Sequence, residues 1–343
     1  MAKFSSTIID WYNDNKRDLP WRQTKDPYKI WLSEIILQQT RVEQGSSYYD
    51  AFVSKYPTIT SLADANPDDV LRLWQGLGYY SRARNLHAAA KYVKNELNGI
   101  FPTTYNEIIK LKGVGDYTAS AISSFAFKEV QPVLDGNVFR VIARHYGIFS
   151  DIAKAGSKKD FKKVLFETID SKRPDIFNQA IMEFGALHCS PKKPNCLFCP
   201  LSNSCYAFAN DKQGELPVKI KKIKRRSRYF NYIIIRCNDK IALQKRSPGD
   251  IWEGLYEFLL HESKTNVDFS DYIKEYEQLG IKKVTSFTPL KKHVLSHQDI
   301  FSSFLLIDVD RTEDFSFFSK EEIEDLPKPV LITNFLELQA DKI

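Results

Sequence analysis

The chain has 343 residues, of which 43% are hydrophobic and 27% charged, a composition typical of a globular protein. This length predicts two domains, each able to bury its own core. No apolar run reaches the roughly 18 residues of a membrane span, and the polar start MAKFSSTIIDWYNDNKRD does not resemble a signal peptide. We therefore expect a cytoplasmic protein. The formal net charge of +6 favours a nucleic-acid partner, but only weakly.

Residues 1–215 are predicted to be mainly helical, because apolar residues recur there at three- and four-residue spacing. The segments with this spacing are 30–39, 70–74, 108–111 and 138–145. Glycine-, proline- and aspartate-containing turns separate them.

A tight turn between two of these helices has the sequence LKGVGDYTA, residues 111–119. Gly113 and Gly115 permit positive φ and let the backbone approach a ligand closely. The N–H groups at the start of the second helix are then free to bind a phosphate oxygen. The pattern predicts a helix–hairpin–helix at about 108–125, although a helix connection without a ligand has similar glycines.

Two carboxylates occupy contrasting settings. Glu34 shares a predicted helix face with Ile30, Leu37 and Gln38. Desolvation there raises the pKa of a carboxyl group, which suits a general acid near neutral pH. Asp135 precedes a predicted helix, where N–H groups and the helix dipole keep a carboxylate ionised. One protonated and one ionised carboxyl group is the division of labour used to cleave glycosidic bonds. An exposed glutamate and a plain helix N-cap are the alternatives.

Four cysteines lie in one short segment with the spacing Cys189-x6-Cys196-x2-Cys199-x5-Cys205. Four thiolates so close in sequence can bind one metal centre. Disulfides are disfavoured in a cytosolic protein, where thiols stay reduced. Ligand chemistry alone favours zinc, although the spacing matches neither paired zinc knuckles nor the ferredoxin run. A fifth cysteine, Cys237, lies in an apolar stretch and is predicted to be a buried structural thiol.

A basic segment separates the helical part from a β-like part. The sequence KIKKIKRRSR, residues 219–228, holds seven basic residues and no acidic one. Such a block is usually a solvated linker, but it also suits a phosphate backbone. Segments 228–237 and 241–245 flank Asn238-Asp239 and predict a hairpin, and 301–309 predicts another strand.

Together these features resemble the endonuclease III superfamily of DNA glycosylases, and within it the MutY family of adenine DNA glycosylases. The resemblance rests on the hairpin, the four cysteines, the C-terminal part and four stretches: 19–22 (LPWR), 26–40 (DPYKIWLSEIILQQT), 73–86 (LWQGLGYYSRARNL) and 134–138 (LDGNV). It implies an all-helical helix–hairpin–helix glycosylase domain over 1–215, with a [4Fe–4S] loop at 189–205. A basic linker at 216–228 and a Nudix/MutT-like α/β domain at 229–343 would follow.

The resemblance also implies the activity: a monomeric glycosylase that removes adenine opposite 8-oxoguanine or guanine in double-stranded DNA. Glu34 would protonate adenine N7, and Asp135 would stabilise the sugar cation. By the same resemblance, Tyr117 and Asn137 would position the sugar and the carboxylates, and Trp21, Arg22 and Gln179 would shape the adenine pocket. Gln39 and Tyr79 would fill the duplex after base flipping. Lys112, Gly113 and Gly115 would contact the DNA at the hairpin.

Two departures from superfamily patterns matter for the activity. The bifunctional endonuclease III type has a lysine nucleophile where this chain has Tyr117, and tyrosine cannot form a Schiff base. Lys112 replaces the usual hairpin proline.

The C-terminal part departs from a Nudix hydrolase. Leu260 stands where the Nudix box needs a glutamate, and no REUXEE sequence follows, so recognition rather than hydrolysis is expected. The family's Phe-Ser-His recognition loop reads Leu295-Ser296-His297 here. Three alternatives remain: a bifunctional pyrimidine-lesion glycosylase, a non-catalytic lesion-binding protein and a Nudix nucleotide hydrolase.

Overall fold

The computed structural model describes residues 2–154, 156–220, 225–265, 267, 269–287, 292–311 and 315–343. Residues 221–224 of the predicted basic linker lie outside this part of the chain. Within it, no helix is both long and apolar enough to cross a membrane.

Helices make up the first two thirds of the chain. They are α1 (Ala2–Asn15), α2 (Pro27–Ile36), α3 (Val42–Lys55), α4 (Ile59–Ala63), α5 (Pro67–Leu73), α6 (Ser81–Glu96), α7 (Tyr105–Ile108), α8 (Asp116–Phe127), α9 (Gly136–Tyr146), α10 (Ser157–Thr168), α11 (Pro174–Leu187) and α12 (Tyr206–Ala209), with 3-10 turns at Pro20–Arg22 and Ser202–Ser204.

The ends of these helices follow local capping chemistry. Asp26 caps α2 by accepting a hydrogen bond from the Tyr28 N–H, with Pro27 at the first helical position. Asp135 caps α9 as predicted. The apolar pattern at 30–39 overestimates α2, which ends at Ile36. Leu37 is the C-cap of the helix, with helical φ and ψ and its N–H bonded to the Ser33 carbonyl oxygen, whereas Gln38 lies in the turn that follows.

The last part of the chain is built around a sheet. Its seven strands are β1 (Arg226–Cys237), β2 (Lys240–Ala242), β5 (Leu259–Ser263), β6 (Ile281–Phe287), β7 (His293–Val294), β8 (Gln298–Val309) and β9 (Phe317–Phe318), within the described residues. Two short strands, β3 (Gln244–Lys245) and β4 (Tyr256–Glu257), pair with each other in a separate sheet. Helices α13 (Ser270–Lys274), α14 (Lys320–Asp325) and α15 (Val330–Leu338) accompany these sheets, with a 3-10 turn at Glu277–Leu279.

Strands β1 and β8 form the centre of the larger sheet and pair in parallel from Arg226↔Gln298 to Arg236↔Asp308. The sheet order is β6-β8-β1-β2-β9, with β5 also pairing β1 and β7 pairing β8. β1 and β2 form the predicted hairpin, in which Asn238 adopts φ 54°. Cys237 is buried in the core of this sheet, as predicted.

The chain forms two compact units. The first unit comprises Met1–Asp64 and Asn85–Lys221, and the second comprises Ala65–Arg84 and Lys222–Ile343. Helix α5 thus belongs to the unit that contains the sheet. Gln75, just after α5, donates to Thr333 Oγ1 on α15 at 3.2 Å and accepts from the Lys328 N–H at 3.0 Å. The apolar periodicity of α5 did not indicate this grouping, because periodicity shows that a face is buried but not against what.

Candidate active site and DNA-contact residues

Glu34 lies near the end of α2, a helix whose residues are almost all buried. Its side chain is 8% exposed. Burial raises the pKa of Glu34 to about 7; the charge of Asp135 adds to this rise, whereas a hydrogen bond from Tyr117 and the charge of Arg22 oppose it. Glu34 therefore exchanges a proton close to neutral pH, as a general acid and base must.

Tyr117 lines the same cavity as Glu34, and its hydroxyl donates to Met182 Sδ at 3.9 Å. It occupies the first turn of α8, directly after the hairpin. Burial and the neighbouring carboxyl groups raise the pKa of Tyr117 well above its ordinary value, so the hydroxyl keeps its proton and donates it in this bond. Tyr117 thus stays neutral beside Glu34 and does not compete for its proton.

Asp135 is the second carboxyl group of the site. Its Oδ1 accepts from the Val138 N–H at 2.7 Å, and its Oδ2 accepts from Asn137 Nδ2 at 2.9 Å. Burial raises the pKa of Asp135 above its usual value, and these two bonds oppose the rise. The hydrogen bonds were predictable from the sequence; the burial that outweighs them was not.

A cavity of about 360 Å³ in the first unit brings these groups together with the predicted adenine-pocket residues. Glu34, Tyr117, Asp135, Asn137, Trp21, Arg22 and Gln179 all line it. Trp21 is buried and packs edge-to-face against Tyr49, with ring centroids 5.3 Å apart. Gln179 accepts a hydrogen bond from the Tyr12 hydroxyl at 2.8 Å. The cavity combines two carboxyl groups with an aromatic wall and hydrogen-bond donors.

The sequence did not reveal two further residues that line this cavity, Glu183 and Arg17. Glu183 is 1% exposed and forms ion pairs with Arg22 at 2.8 Å and with Arg17 at 2.7 Å. Burial alone would raise the pKa of Glu183, but these bonds lower it to about 2. The available signal was a single carboxylate within the apolar run 180–187, where an unpaired charge is too costly to bury.

The predicted hairpin is present between α7 and α8. Gly113 adopts φ +80°, and a Cβ added there would lie 2.6 Å from the Asn85 side chain. Gly115 caps α8 with φ −98°, a value that any residue adopts, so of the two glycines it is Gly113 that uses positive φ. No heavy atom would lie within 4 Å of a Cβ at Gly115, so its neighbouring space is open. Lys112 is exposed beside these glycines.

The four cysteines of the segment 189–205 line one small, apolar cavity. Arg144 reaches its edge, with Nη1 3.4 Å from Cys189 Sγ and 2.7 Å from the Ser190 carbonyl oxygen. In the described part of the chain, no group of three or more His, Cys, Asp or Glu side chains is arranged to hold a single metal ion. Four sulfur ligands around one cavity fit a group that prefers soft ligands, as iron–sulfur clusters do.

Arg140 connects this cysteine segment to Asp135 through hydrogen bonds. It is 8% exposed, and its Nε donates to the Cys189 carbonyl oxygen at 2.7 Å. Its Nη2 donates to Asn137 Oδ1 at 2.8 Å and to the Gly185 carbonyl oxygen at 2.6 Å. Because Asn137 in turn donates to Asp135, a continuous chain of hydrogen bonds joins the cysteine segment to Asp135.

Gln39 and Tyr79, the residues predicted to enter the duplex, share an unusual backbone. Gln39 adopts φ 56° and Tyr79 φ 46°, a region that non-glycine residues rarely occupy. Both side chains are exposed, Tyr79 to 42%. Strained residues with exposed side chains are concentrated at functional sites.

In the second unit, Tyr79 contacts the predicted recognition loop. Its hydroxyl donates to Ser296 Oγ at 2.6 Å, and Ser296 Oγ lies 3.2 Å from His297 Nδ1. Arg225 anchors the loop by donating to the Leu295 carbonyl oxygen at 2.7 Å. Leu295 is half-buried, whereas Ser296 and His297 are exposed. The structure thus joins two elements of the sequence analysis that lie far apart in the chain.

Comparison with known proteins identifies the family. The family model for HhH-GPD superfamily base excision DNA repair proteins matches residues 32–166, and the NUDIX domain model matches residues 231–338. Over 336 residues the chain is 38% identical to the adenine DNA glycosylase of Buchnera aphidicola subsp. Baizongia pistaciae, which covers 96% of this chain and 93% of that protein. The chain belongs to the adenine DNA glycosylase family. It is therefore a DNA N-glycosylase of base excision repair, and the predicted family is confirmed.

Solved structures agree with this assignment. A thermostable thymine-DNA glycosylase is similar with a TM-score of 0.57 and 31% identity, covering 60% of this chain and 95% of that one. Endonuclease III in a non-covalent DNA complex has a TM-score of 0.53 over 62% of this chain and 96% of that one. At 22% identity, this second likeness shows the fold alone. The predicted fold class, a helical glycosylase followed by a Nudix-like domain, is confirmed.

Proposed function

We propose that this glycosylase flips adenine paired with 8-oxoguanine, or less actively with guanine, out of duplex DNA and hydrolyses its N-glycosidic bond. The observation that carries the proposal is the pairing of Glu34, whose pKa is raised to about 7, with Asp135 in one cavity of about 360 Å³. A base within a duplex is inaccessible to these groups, so the reaction requires its extrusion.

Glu34 begins the reaction as the general acid. Its carboxyl proton moves to adenine N7, and the electron pair of the N-glycosidic bond then leaves with the protonated base. Asp135 stabilises the positive charge that develops at C1′, by electrostatics or by a short-lived covalent bond. The Glu34 carboxylate next removes a proton from water, whose oxygen attacks C1′. The products are free adenine and an abasic site, and Glu34 is protonated again.

The sugar–phosphate backbone of the DNA strand stays intact in this mechanism. Strand cleavage by the endonuclease III route needs an amine that forms a Schiff base with the sugar, and Tyr117 offers a hydroxyl instead. Tyr117 keeps its proton and stays neutral beside Glu34. The proposed enzyme is therefore monofunctional.

A [4Fe–4S] cluster is proposed as the resident cofactor of the segment 189–205, held by Cys189, Cys196, Cys199 and Cys205. The four thiols line one cavity, and Arg140 and Arg144 tie the surrounding backbone to α9. When bound, such a cluster supplies the positive charge and cross-linking that four converging thiolates need. Its proposed role here is to hold the segment and, through Arg140, the Asn137–Asp135 pair.

The DNA is proposed to contact several surfaces. Lys112 and the backbone of Gly113 and Gly115 would bind a phosphate at the start of α8. Gln39 and Tyr79 would fill the space that the flipped base leaves. The basic linker would follow the backbone, and the enzyme would act as a monomer on bacterial nucleoid DNA. The predicted boundaries assign the chemistry to 1–215 and lesion reading to 229–343.

Lesion reading is proposed to depend on the Leu295-Ser296-His297 loop. 8-Oxoguanine differs from guanine by an N7–H donor and an O8 acceptor, and hydroxyl and imidazole groups can pair with both. Leu295 supplies an apolar contact where the family has an aromatic residue. The exposed Ser296 and His297 side chains support this role, since Tyr79 holds Ser296 and Arg225 holds the Leu295 carbonyl oxygen while both side chains remain accessible.

The central experiment is single-turnover cleavage of duplexes that contain A opposite 8-oxoguanine, A opposite G, or thymine glycol opposite A. We expect fast release of adenine from the first duplex, slower release from the second, and strand breaks only after alkali. Strand breaks without alkali, a borohydride-trapped complex in high yield or a preference for thymine glycol would contradict the proposal. Nucleotide turnover with magnesium would instead identify a Nudix hydrolase.

Lesion reading has its own test. Ser296→Ala combined with His297→Ala is expected to reduce the preference for 8-oxoguanine over guanine while adenine release opposite guanine persists. Tyr79→Phe keeps the ring but loses the hydrogen bond to Ser296, and therefore separates duplex filling from loop positioning. An unchanged preference in the double variant would place lesion reading elsewhere.

A further inference from the structure

We propose that Glu183 and Tyr12 are positioning residues for base recognition, which act through Arg22 and Gln179 rather than on the base itself. This inference rests on the proposed function and on the predicted adenine pocket, in which Arg22 and Gln179 contact the base. Glu183 fixes the guanidinium of Arg22, and Tyr12 fixes the amide of Gln179. The cavity would therefore meet the flipped base with its hydrogen-bonding groups already in place.

The Glu183 carboxylate is saturated by arginine. Its Oε1 accepts from the Arg17 backbone N–H at 2.9 Å, from Arg17 Nε at 2.9 Å and from Arg22 Nη1 at 2.9 Å. Its Oε2 accepts from Arg17 Nη2 at 2.7 Å and from Arg22 Nη2 at 2.8 Å. A carboxylate offers about four lone-pair sites, so these bonds leave Glu183 no capacity to accept from a base. Its influence on the base must pass through the arginines.

Arg22 is held from three sides. Besides the two bonds to Glu183, its Nη1 donates to the Arg17 backbone carbonyl oxygen at 3.1 Å. Its guanidinium carbon lies 5.6 Å from the centre of the Tyr12 ring. These contacts use one end of the guanidinium and leave its Nε–H as a donor in a fixed orientation. A flexible arginine would have to be ordered each time a base entered, whereas a held one is preorganised.

Tyr12 fixes the second donor. Its ring is 5% exposed, and its hydroxyl donates to Gln179 Oε1 at 2.8 Å. With the oxygen of the amide occupied, the NH₂ group is what Gln179 has left to offer a base in the cavity that it lines. Ring nitrogens of adenine are acceptors, so a held amide NH₂ and a held guanidinium are complementary to them. Tyr12 contacts both Gln179 and Arg22, and thereby connects the two side chains proposed to bind the base.

Glu183 also offsets the positive charge of Arg22 near the general acid. Glu34 faces Tyr117 from α8, Asp135 at the start of α9 and Arg22 from the 3-10 turn, while Arg17, Arg41, Glu43 and Glu183 line the same cavity. Arg22 favours the ionised form of Glu34. Neutralising Glu183 should strengthen that effect and move the alkaline limb of the pH–rate profile to lower pH. A purely structural role of Glu183 gives no such shift.

The test is a double-mutant cycle with Glu183→Gln and Arg22→Ala, read by single-turnover adenine release at saturating enzyme. We expect Glu183→Gln to slow release by about tenfold to a hundredfold, as for a misplaced catalytic-site group. In the Arg22→Ala background it should add less than about twofold, because residues that act through one another are not additive. Mispair affinity should stay within about twofold of the original in Glu183→Gln.

The matched control is Asp175→Asn. Asp175 is also a buried carboxylate on α11, 4% exposed and paired with Lys25 at 2.9 Å, but neither residue lines the cavity. It should leave the rate of adenine release and its pH profile unchanged. Equal rate losses in Asp175→Asn and Glu183→Gln would overturn the inference, as would multiplicative effects of Glu183→Gln and Arg22→Ala.

Tyr12→Phe keeps the inference testable if Glu183→Gln does not fold, because it removes a single oxygen atom from the ring. Tyr12→Phe should slow adenine release when it is the only substitution. In the Gln179→Ala background it should cause little further loss of rate. A Tyr12→Phe rate equal to that of the unmodified protein would overturn this half of the inference. The unmodified protein distinguishes failure of the proposed function from failure of the positioning role. If it releases no adenine, the proposed function fails. If it is active but the rate effects of the paired substitutions multiply independently, only the positioning role is refuted.

Discussion

Glu34→Gln should make the protein inactive and, above neutral pH, more stable. The side chain is 8% exposed, and burial raises its pKa from an ordinary 4.5 to about 7. The folded protein thus binds this proton more tightly than the unfolded chain does. The associated stability is fully present below pH 4.5 and is lost as the pH rises through about 7.

The size of this effect follows from the two pKa values. A rise from 4.5 to about 7 corresponds to about 3 kcal/mol of unfolding free energy at pH 8. Glutamine has the same shape, keeps an oxygen for the Tyr117 hydroxyl and carries no charge to desolvate. Glu34→Gln should therefore unfold about 6–12 °C higher than the original at pH 8, and at the same temperature at pH 4.5.

The assay is calorimetric unfolding of the full chain and of Glu34→Gln from pH 4.5 to 8. Glu96→Gln serves as a control, because it makes the same substitution at an exposed glutamate at the end of α6 that does not line the cavity. In parallel, adenine release should be abolished in Glu34→Gln while mispair binding persists. A constant difference in unfolding temperature at all pH values would refute the reasoning, since Glu34 would then ionise in the fold without cost.

Three further predictions follow from the same contacts. Gly113→Ala should lower both stability and duplex affinity, whereas Gly115→Ala should fold normally. The left-handed backbone at Gly113 alone should cost the alanine variant about 1–2 kcal/mol of unfolding free energy. Calorimetry measures the stability and fluorescence anisotropy with labelled duplex measures the affinity; equal behaviour of the two variants would contradict the hairpin geometry. Arg140→Gln should slow adenine release with iron content retained, because Asp135 loses its held partner; loss of iron in proportion to activity would make its role structural. Cys199→Ser should impair folding or DNA binding rather than chemistry, and a well-folded variant that binds DNA normally would argue against the cluster.

The sequence alone was sufficient for several features that depend on neighbours in the chain. Capping chemistry predicted the start of α9 at Asp135, and the apolar flank of Glu34 predicted its burial and raised pKa. The Asn238-Asp239 turn predicted the β1–β2 hairpin. These are local effects, because backbone conformation and short-range hydrogen bonds are decided within a few residues. The quoted stretches likewise indicated the family before any contact was known.

Only the tertiary structure decided which distant groups share one environment. Glu183 lies 161 positions from Arg22, and the Tyr79 hydroxyl meets Ser296 across 217 positions. Neither partner can be read from local pattern, because a buried charge shows only that some opposite charge must accompany it. The net direction of the Asp135 pKa was decided in the same way, since burial by surrounding elements outweighs the hydrogen bonds of its own helix. Local sequence placed the chemical groups on their elements, and long-range packing set their charge states and partners.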